Sequence, residues 1–199
     1  MKSDHLGEAD RVNACKLIES FLLNLRGTMD AALPTVIELS LEQKDNAGAT
    51  RALRVAHLES LINAILYNPA AALHIMESKK PGSARTFFDK WFSTLKSPIG
   101  LPRVHDMKLS IMTMCALLEM DPMVIPTSLQ QGWSGIAQAI IHVFQKLPQA
   151  IEKRKALKDA LDEDEDEDED EEDEEEDLEQ EQRLNLEDDD DEDGSTEND

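Results

Sequence analysis

Aromatic residues make up only 4% of the 199 positions, and the chain holds just two cysteines. Cys15 and Cys115 lie far apart, each in an apolar stretch, so the sequence writes no disulfide framework. Both read as buried thiols in a reducing compartment. No apolar run approaches the ~18 residues that a membrane-spanning helix requires. The opening MKSDHLGEAD lacks the apolar segment of a secretory signal. The expectation is a soluble intracellular chain with no membrane partner.

Catalytic signatures are also missing. The sequence has no GxGxxG, no P-loop, no HExxH and no GxSxG. His5, His57, His74, His105 and His142 stand singly, none at metal-ligand spacing with Cys or another His. Closely spaced carboxylates abound only near the C-terminal end, where nothing would hold them against a reacting atom. Neither an enzyme nor a cofactor is expected.

Charge is abundant, and it is unevenly placed. The net charge is -23, yet residues 1–158 carry 19 Lys/Arg against 15 Asp/Glu, a net of +4. Residues 159–199 carry 28 acids against the single base Arg183, a net of -27. Two domains follow. Residues 1–158 are long enough for one hydrophobic core. Residues 159–199 have almost nothing to bury, so ordering them would cost backbone entropy without return, and a disordered acidic tail is expected.

Residues 1–158 read as helix after helix. Ile18, Phe21, Leu22 and Leu25 share one face of a 3.6-residue period. So do Val55, Leu58, Ile62 and Ile65, and again Ile136, Ile140, Phe144 and Leu147. Met107 to Met120 is apolar nearly all round, which predicts a helix covered on most sides, with Asp106 as its N-cap and Asp121-Pro122 as its stop. Ile37, Leu39 and Leu41 alternate with polar residues like a strand, but a lone strand has no partner for its backbone. A helix starting or bending at Pro34 is expected instead. Breakers at Gly27, Asn68-Pro69, Pro81-Gly82, Pro98, Pro126 and Gly132 leave short turns, and hence antiparallel helix pairs. That pattern suits a bundle and a solenoid alike.

The acidic run is the candidate binding site. It comprises Asp162, Glu163, Asp164, Glu165, Asp166, Glu167, Asp168, Glu169, Asp170, Glu171, Glu172, Asp173, Glu174, Glu175, Glu176 and Asp177. Further on, Asp189 to Gly194 matches the front half of an EF-hand loop, but the required Glu would fall at residue 200, past the last residue here. Phosphates would be repelled by the run, so no direct nucleic-acid partner is expected. Lys153, Arg154 and Lys155 suit a helix C-terminus. A mobile polyanion attracts basic proteins over a Debye length of ~8 Å at physiological salt. Ribosomal proteins and histones are candidate partners, and a purely solubilising tail is the alternative. Among the aromatics, Phe88, Trp91 and Phe92 share one helical face, as a packing cluster or as a groove for a peptide partner.

Three stretches in order carry a resemblance. HLESLINAILYNPAAALHIMES is followed by TFFDKWFSTLKSPIGLPRVHDMKLSIMTMCALLEM, and then IPTSLQQGWSGIAQAIIHVFQKLPQAIEKRKAL runs into the acidic block. The order resembles the C-terminal part of importin-β superfamily nuclear transport receptors, in the subgroup of importin seven, importin eight and their fungal counterparts. The matching features are Tyr67-Asn68-Pro69, then Phe87, Phe88 and Trp91, then Gly100, Leu101, His105, Asp106 and Lys108, and then an acidic loop from Asp162. The resemblance covers about residues 50 to 177. It implies an all-α fold of antiparallel helix pairs stacked as a HEAT-type α-solenoid segment. It also implies a part in nuclear protein import, with the acidic run contacting basic cargo. Receptors of this superfamily bind Ran GTPase and Phe-Gly nucleoporins, and move between cytoplasm and nucleus through the nuclear envelope pore. Such receptors are several times longer and bind Ran through N-terminal repeats without a counterpart here. The chain therefore reads as a fragment whose Ran site is missing. The competing readings are an acidic histone or ribosomal-protein chaperone on a closed helical domain, and a helical scaffold with a passive tail.

Overall fold

The computed structural model describes residues 7–43, 48–97, 100–101 and 103–162, the side chains of the last three excepted. Eight α-helices occupy them: α1 Glu8–Asn24, α2 Leu33–Gln43, α3 Arg51–Tyr67, α4 Pro69–Lys79, α5 Ser83–Lys96, α6 Val104–Leu118, α7 Thr127–Gln130 and α8 Ser134–Asp162. One 3-10 turn, Pro122–Val124, lies between α6 and α7, and no strand occurs among the described residues. The Ile37–Leu41 alternation is thus helical, inside α2. The chain divides into two units, Met1–Lys153 and Arg154–Asp199. The first is an all-α, solenoid-like segment. Of the second, only the last turns of α8 are described.

Local chemistry sets the helix ends. Thr50 Oγ1 accepts from Leu53 N at 3.4 Å and opens α3. Asn68 closes α3 and opens α4 in one residue: its Oδ1 accepts from Ala71 N at 3.1 Å, and Pro69 fits the first helical position, where no N–H is needed. Gly82 enters α5 at φ 81°, a left-handed conformation that a side chain would strain. Glu77 reaches across this turn from α4. It accepts from Gly82 N at 2.8 Å, Ala84 N at 3.2 Å and Ser128 Oγ at 2.9 Å, so α4, α5 and α7 are tied through one carboxylate. At the far end of α5, Lys146 Nζ donates to Leu95 O at 3.0 Å, and His142 Nε2 lies 3.2 Å from the same oxygen. A cation there meets the negative end of the helix.

The centre of the first unit is α3, which packs against α1, α2, α4 and α6. Every residue from Ala56 to Leu66 is buried. Two of its buried polar side chains bond back to their own helix, Ser60 Oγ to Ala56 O at 3.0 Å and Asn63 Nδ2 to Glu59 O at 3.2 Å. Thr113 Oγ1 of α6 donates to Ile62 O at 3.4 Å. The helix covered all round is therefore α3. In α6, Met112 and Leu118 are exposed, and so is Cys115, contrary to the expectation of two buried thiols. Asp106 is not the N-cap of α6. It sits one turn inside, and Arg103 takes the cap position.

Two expected apolar faces are rotated. In α1 the inward residues are Val12, Cys15, Glu19 and Leu22, while Phe21 and Leu25 face solvent. In α8 the buried residues are Ile136 and Val143, and Phe144 is 54% exposed.

Candidate functional site

The acidic run proposed from the sequence contributes Asp162 to the end of α8, and Glu163 to Asp177 lie outside the described residues. The aromatic group is placed. Phe88 and Trp91 are buried, and Phe92 packs half-buried against the same core. Phe87, which is also buried, meets Phe88 edge-on with centroids 5.4 Å apart, and Phe88 meets Phe92 edge-on at 5.7 Å. Such edge contacts suit the ring quadrupoles. Trp91 Nε1 donates to Ser110 Oγ of α6 at 3.2 Å, which satisfies the one polar atom the cluster buries. That bond ties α5 to α6 inside the core.

The polar constellation that the fold assembles lies elsewhere, where α1, α3 and α6 meet. Arg103, at the start of α6, lies between three buried carboxyls. Its Nη2 is 2.8 Å from Glu59 Oε2, 2.8 Å from Asp106 Oδ1 and 4.0 Å from Glu19 Oε2. Its Nε donates to both Asp106 oxygens, at 3.0 and 3.1 Å. Asp106 Oδ2 also accepts from Arg103 N at 3.2 Å. Asp106 thus satisfies an orphan donor at the helix start and fixes the guanidinium.

The Arg103 guanidinium and the nearby Lys16 ammonium cannot together neutralise three buried carboxylates. Burial is the largest influence on Glu19, and with the Asp106 charge it pushes this carboxyl up to about 8 against the pull of Arg103 and Lys16. Burial first, and then the Asp106 charge, raise Glu59 well above the ordinary carboxylate range. Burial alone would favour a neutral Arg103, but Glu59 and Asp106 outweigh it and hold the guanidinium charged. The geometry agrees: Glu19 Oε1 and Glu59 Oε1 are buried with no hydrogen-bond partner. Unpartnered carboxyl oxygens in a dry site are far less costly protonated than charged. The cluster therefore holds protons at neutral pH as well as charges. These contacts lock α1, α3 and α6 together.

A second polar contact lies nearby. Cys15 Sγ of α1 is 3.6 Å from His57 Nδ1 of α3. Burial pushes the thiol up to about 11 and lowers the imidazole. Thiol and neutral imidazole are the stable forms, so the pair forms no thiolate nucleophile. Among the described residues no group of three or more His, Cys, Asp and Glu is placed to hold a metal, and no helix is long and apolar enough to cross a membrane.

Sequence reading missed the Arg103 cluster, although a signal was present. Val12, Cys15, Glu19 and Leu22 follow helical spacing with a lone carboxylate inside the stripe. Glu59 likewise interrupts the apolar run of α3. Carboxylates on a core face need a buried cation, and Arg103 in PRVHD is the base that supplies it.

A packed array of helices with an internal ionic lock and buried aromatics defines the class: an all-α, solenoid-like segment. The chain is 28% identical over 155 residues to the Probable importin-7 homolog of Dictyostelium discoideum, a match covering 76% of this chain and 14% of that protein. It is 28% identical over 155 residues to Importin-8 of Danio rerio, covering 74% and 15%. With Importin-8 of Homo sapiens the identity is 28% over 155 residues, covering 75% and 14%. These similarities support a segment of the importin-β family. The matched region spans about a seventh of the length of these relatives. No family model and no solved structure matches the chain.

Proposed function

We propose that this chain works as a helical-repeat segment of a nuclear import receptor, with its acidic run contacting basic cargo. Similarity to importin-7 and importin-8 proteins along three quarters of the chain carries the reading. Residues 1–158 form the scaffold in this proposal, and residues 159–199 form the acidic arm. The charge split supports it, because a run of carboxylates recruits basic surfaces such as those of ribosomal proteins or histones by raising the encounter rate. The proposal makes the protein a carrier segment rather than an enzyme, moving between cytoplasm and nucleus. Contacts with Ran GTPase and Phe-Gly nucleoporins belong to the longer receptors, and this segment relies on them for pore passage and release.

The test is titration of a linker histone against the whole chain. A second form has every Asp of residues 162–177 changed to Asn and every Glu to Gln. Both are measured at low and at physiological salt. The expected result is tight binding by the native chain, weakened at least tenfold by neutralisation and strongly by salt. Equal binding by both forms, or none by either, overturns the role given to the run.

A further inference from the structure

Of the eight prolines in the chain, only Pro98 follows a hydroxyl-bearing residue, Ser97. Ser97 closes α5. Its backbone leaves the helix at φ -59° and ψ 145°, the extended conformation that a following proline favours. The residue is half-buried rather than enclosed. One turn earlier, Ser93 Oγ and Thr94 Oγ1 both donate to Lys90 O, at 2.8 and 2.9 Å. Among the described residues no such bond ties down Ser97 Oγ.

The surroundings are cationic in a chain whose net charge is -23. No Asp or Glu occurs from Lys90 to His105, a stretch in which Lys90 and Lys96 are exposed. None occurs from Pro122 to Ile151, which takes in most of α8. Lys146 Nζ of α8 donates to Leu95 O at 3.0 Å and to Ser97 O at 3.4 Å. His142 Nε2, one turn earlier on α8, lies 3.2 Å from Leu95 O. An ammonium has three donors, and these two carbonyls take two of them. A dianion on Ser97 would ordinarily be repelled by the negative end of α5. Here a cation already stands at that end, and a charge-assisted bond to it outweighs a surface helix dipole.

We propose that Ser97 is a phosphorylation site for a proline-directed protein kinase, with Lys146 as the seat of the phosphate. Ser97 Oγ attacks the γ-phosphorus of ATP. The Oγ–P bond forms as the bond to the β–γ bridging oxygen breaks, ADP leaves, and the hydroxyl proton passes to a base of the kinase. Proline after the serine suits an enzyme pocket that offers no acceptor to a backbone N–H, because any other residue would bury that N–H unpaired. Held by Lys146, the phosphate adds an ionic tie between α5 and α8. The site is separate from the acidic run and does not rest on the import reading.

The test incubates the whole chain with a mitogen-activated protein kinase and Mg-ATP and follows intact mass. Ser97→Ala, Pro98→Ala and Lys146→Gln are run beside it, with a peptide of residues 91–103 as the unfolded reference. Far-UV dichroism checks that each variant keeps its helices. The native chain is expected to take one phosphate and Ser97→Ala none, with Pro98→Ala modified at least about tenfold more slowly. In 31P NMR the phosphate on the native chain should titrate below the ~6 of a solvated phosphoserine. Lys146→Gln should move it back toward the value of the peptide. A folded chain left unmodified while the peptide is phosphorylated overturns the proposal, and so does equal modification of the native chain and Pro98→Ala. One common 31P titration for native chain, Lys146→Gln and peptide overturns the role of Lys146.

Discussion

Glu19 carries the pH response of the fold. Its carboxyl sits at about 8 in the folded chain and near 4.3 when unfolded. Between those values the folded state binds the extra proton, so stability is greatest at the acid end and declines as pH rises through the folded value. Glu59 shifts in the same direction and adds to the slope. The substitution Glu19→Gln keeps the shape and removes the titration. Urea denaturation from pH 5 to 9 should show the native chain losing stability across that window, by up to about 1.4 kcal/mol per pH unit for one proton. The Glu19→Gln variant should lose less and be the more stable of the two at pH 9. A parallel pair of curves would place the proton elsewhere. Residue-scale features of this kind were only half legible. A lone acid in an apolar stripe is visible in sequence, but which base answers it depends on bringing residues 19, 59 and 103 together across three helices.

At the scale of elements the helical class and the short turns were readable, because periodicity and breakers are local. The inward face of each helix was less so. Ile18, Phe21, Leu22 and Leu25 make the more hydrophobic stripe of α1, yet the face with Glu19 is the one that packs on α3. A sequence read one helix at a time takes the greasier side as the core. Here a greasy side is left outward on α1 and on α8, and an ion pair is buried instead. The turns carry their own energetics. Glu77 serves three donors from α5 and α7, and its loss would leave Gly82 N and Ala84 N to water or to nothing. The substitution Glu77→Ala should cost about 1–3 kcal/mol in chemical denaturation. Glu77→Gln, which keeps an acceptor oxygen, should recover part of it.

Stability should be graded across the described molecule, highest at α3 and lowest toward the end of α8. Helix α3 has neighbours on four sides and a buried stretch from Ala56 to Leu66. Its amides can exchange only when the surrounding helices separate, which amounts to global unfolding. Helix α8 is held differently. Ile136 and Val143 are its buried apolar anchors, while residues 151–156 are all exposed. Pro148 within the helix contributes no N–H to the ladder, so the turn around it lacks one backbone hydrogen bond. Beyond that point the helix has little tertiary packing to resist fraying. Native-state hydrogen exchange should therefore show the Ala56–Leu66 amides exchanging with the full unfolding free energy. Amides of residues 152–159 should exchange orders of magnitude faster, and residues 136–143 should fall between. Uniform protection along α8 in dilute solution would mean that its outer face is already covered by something within the same chain.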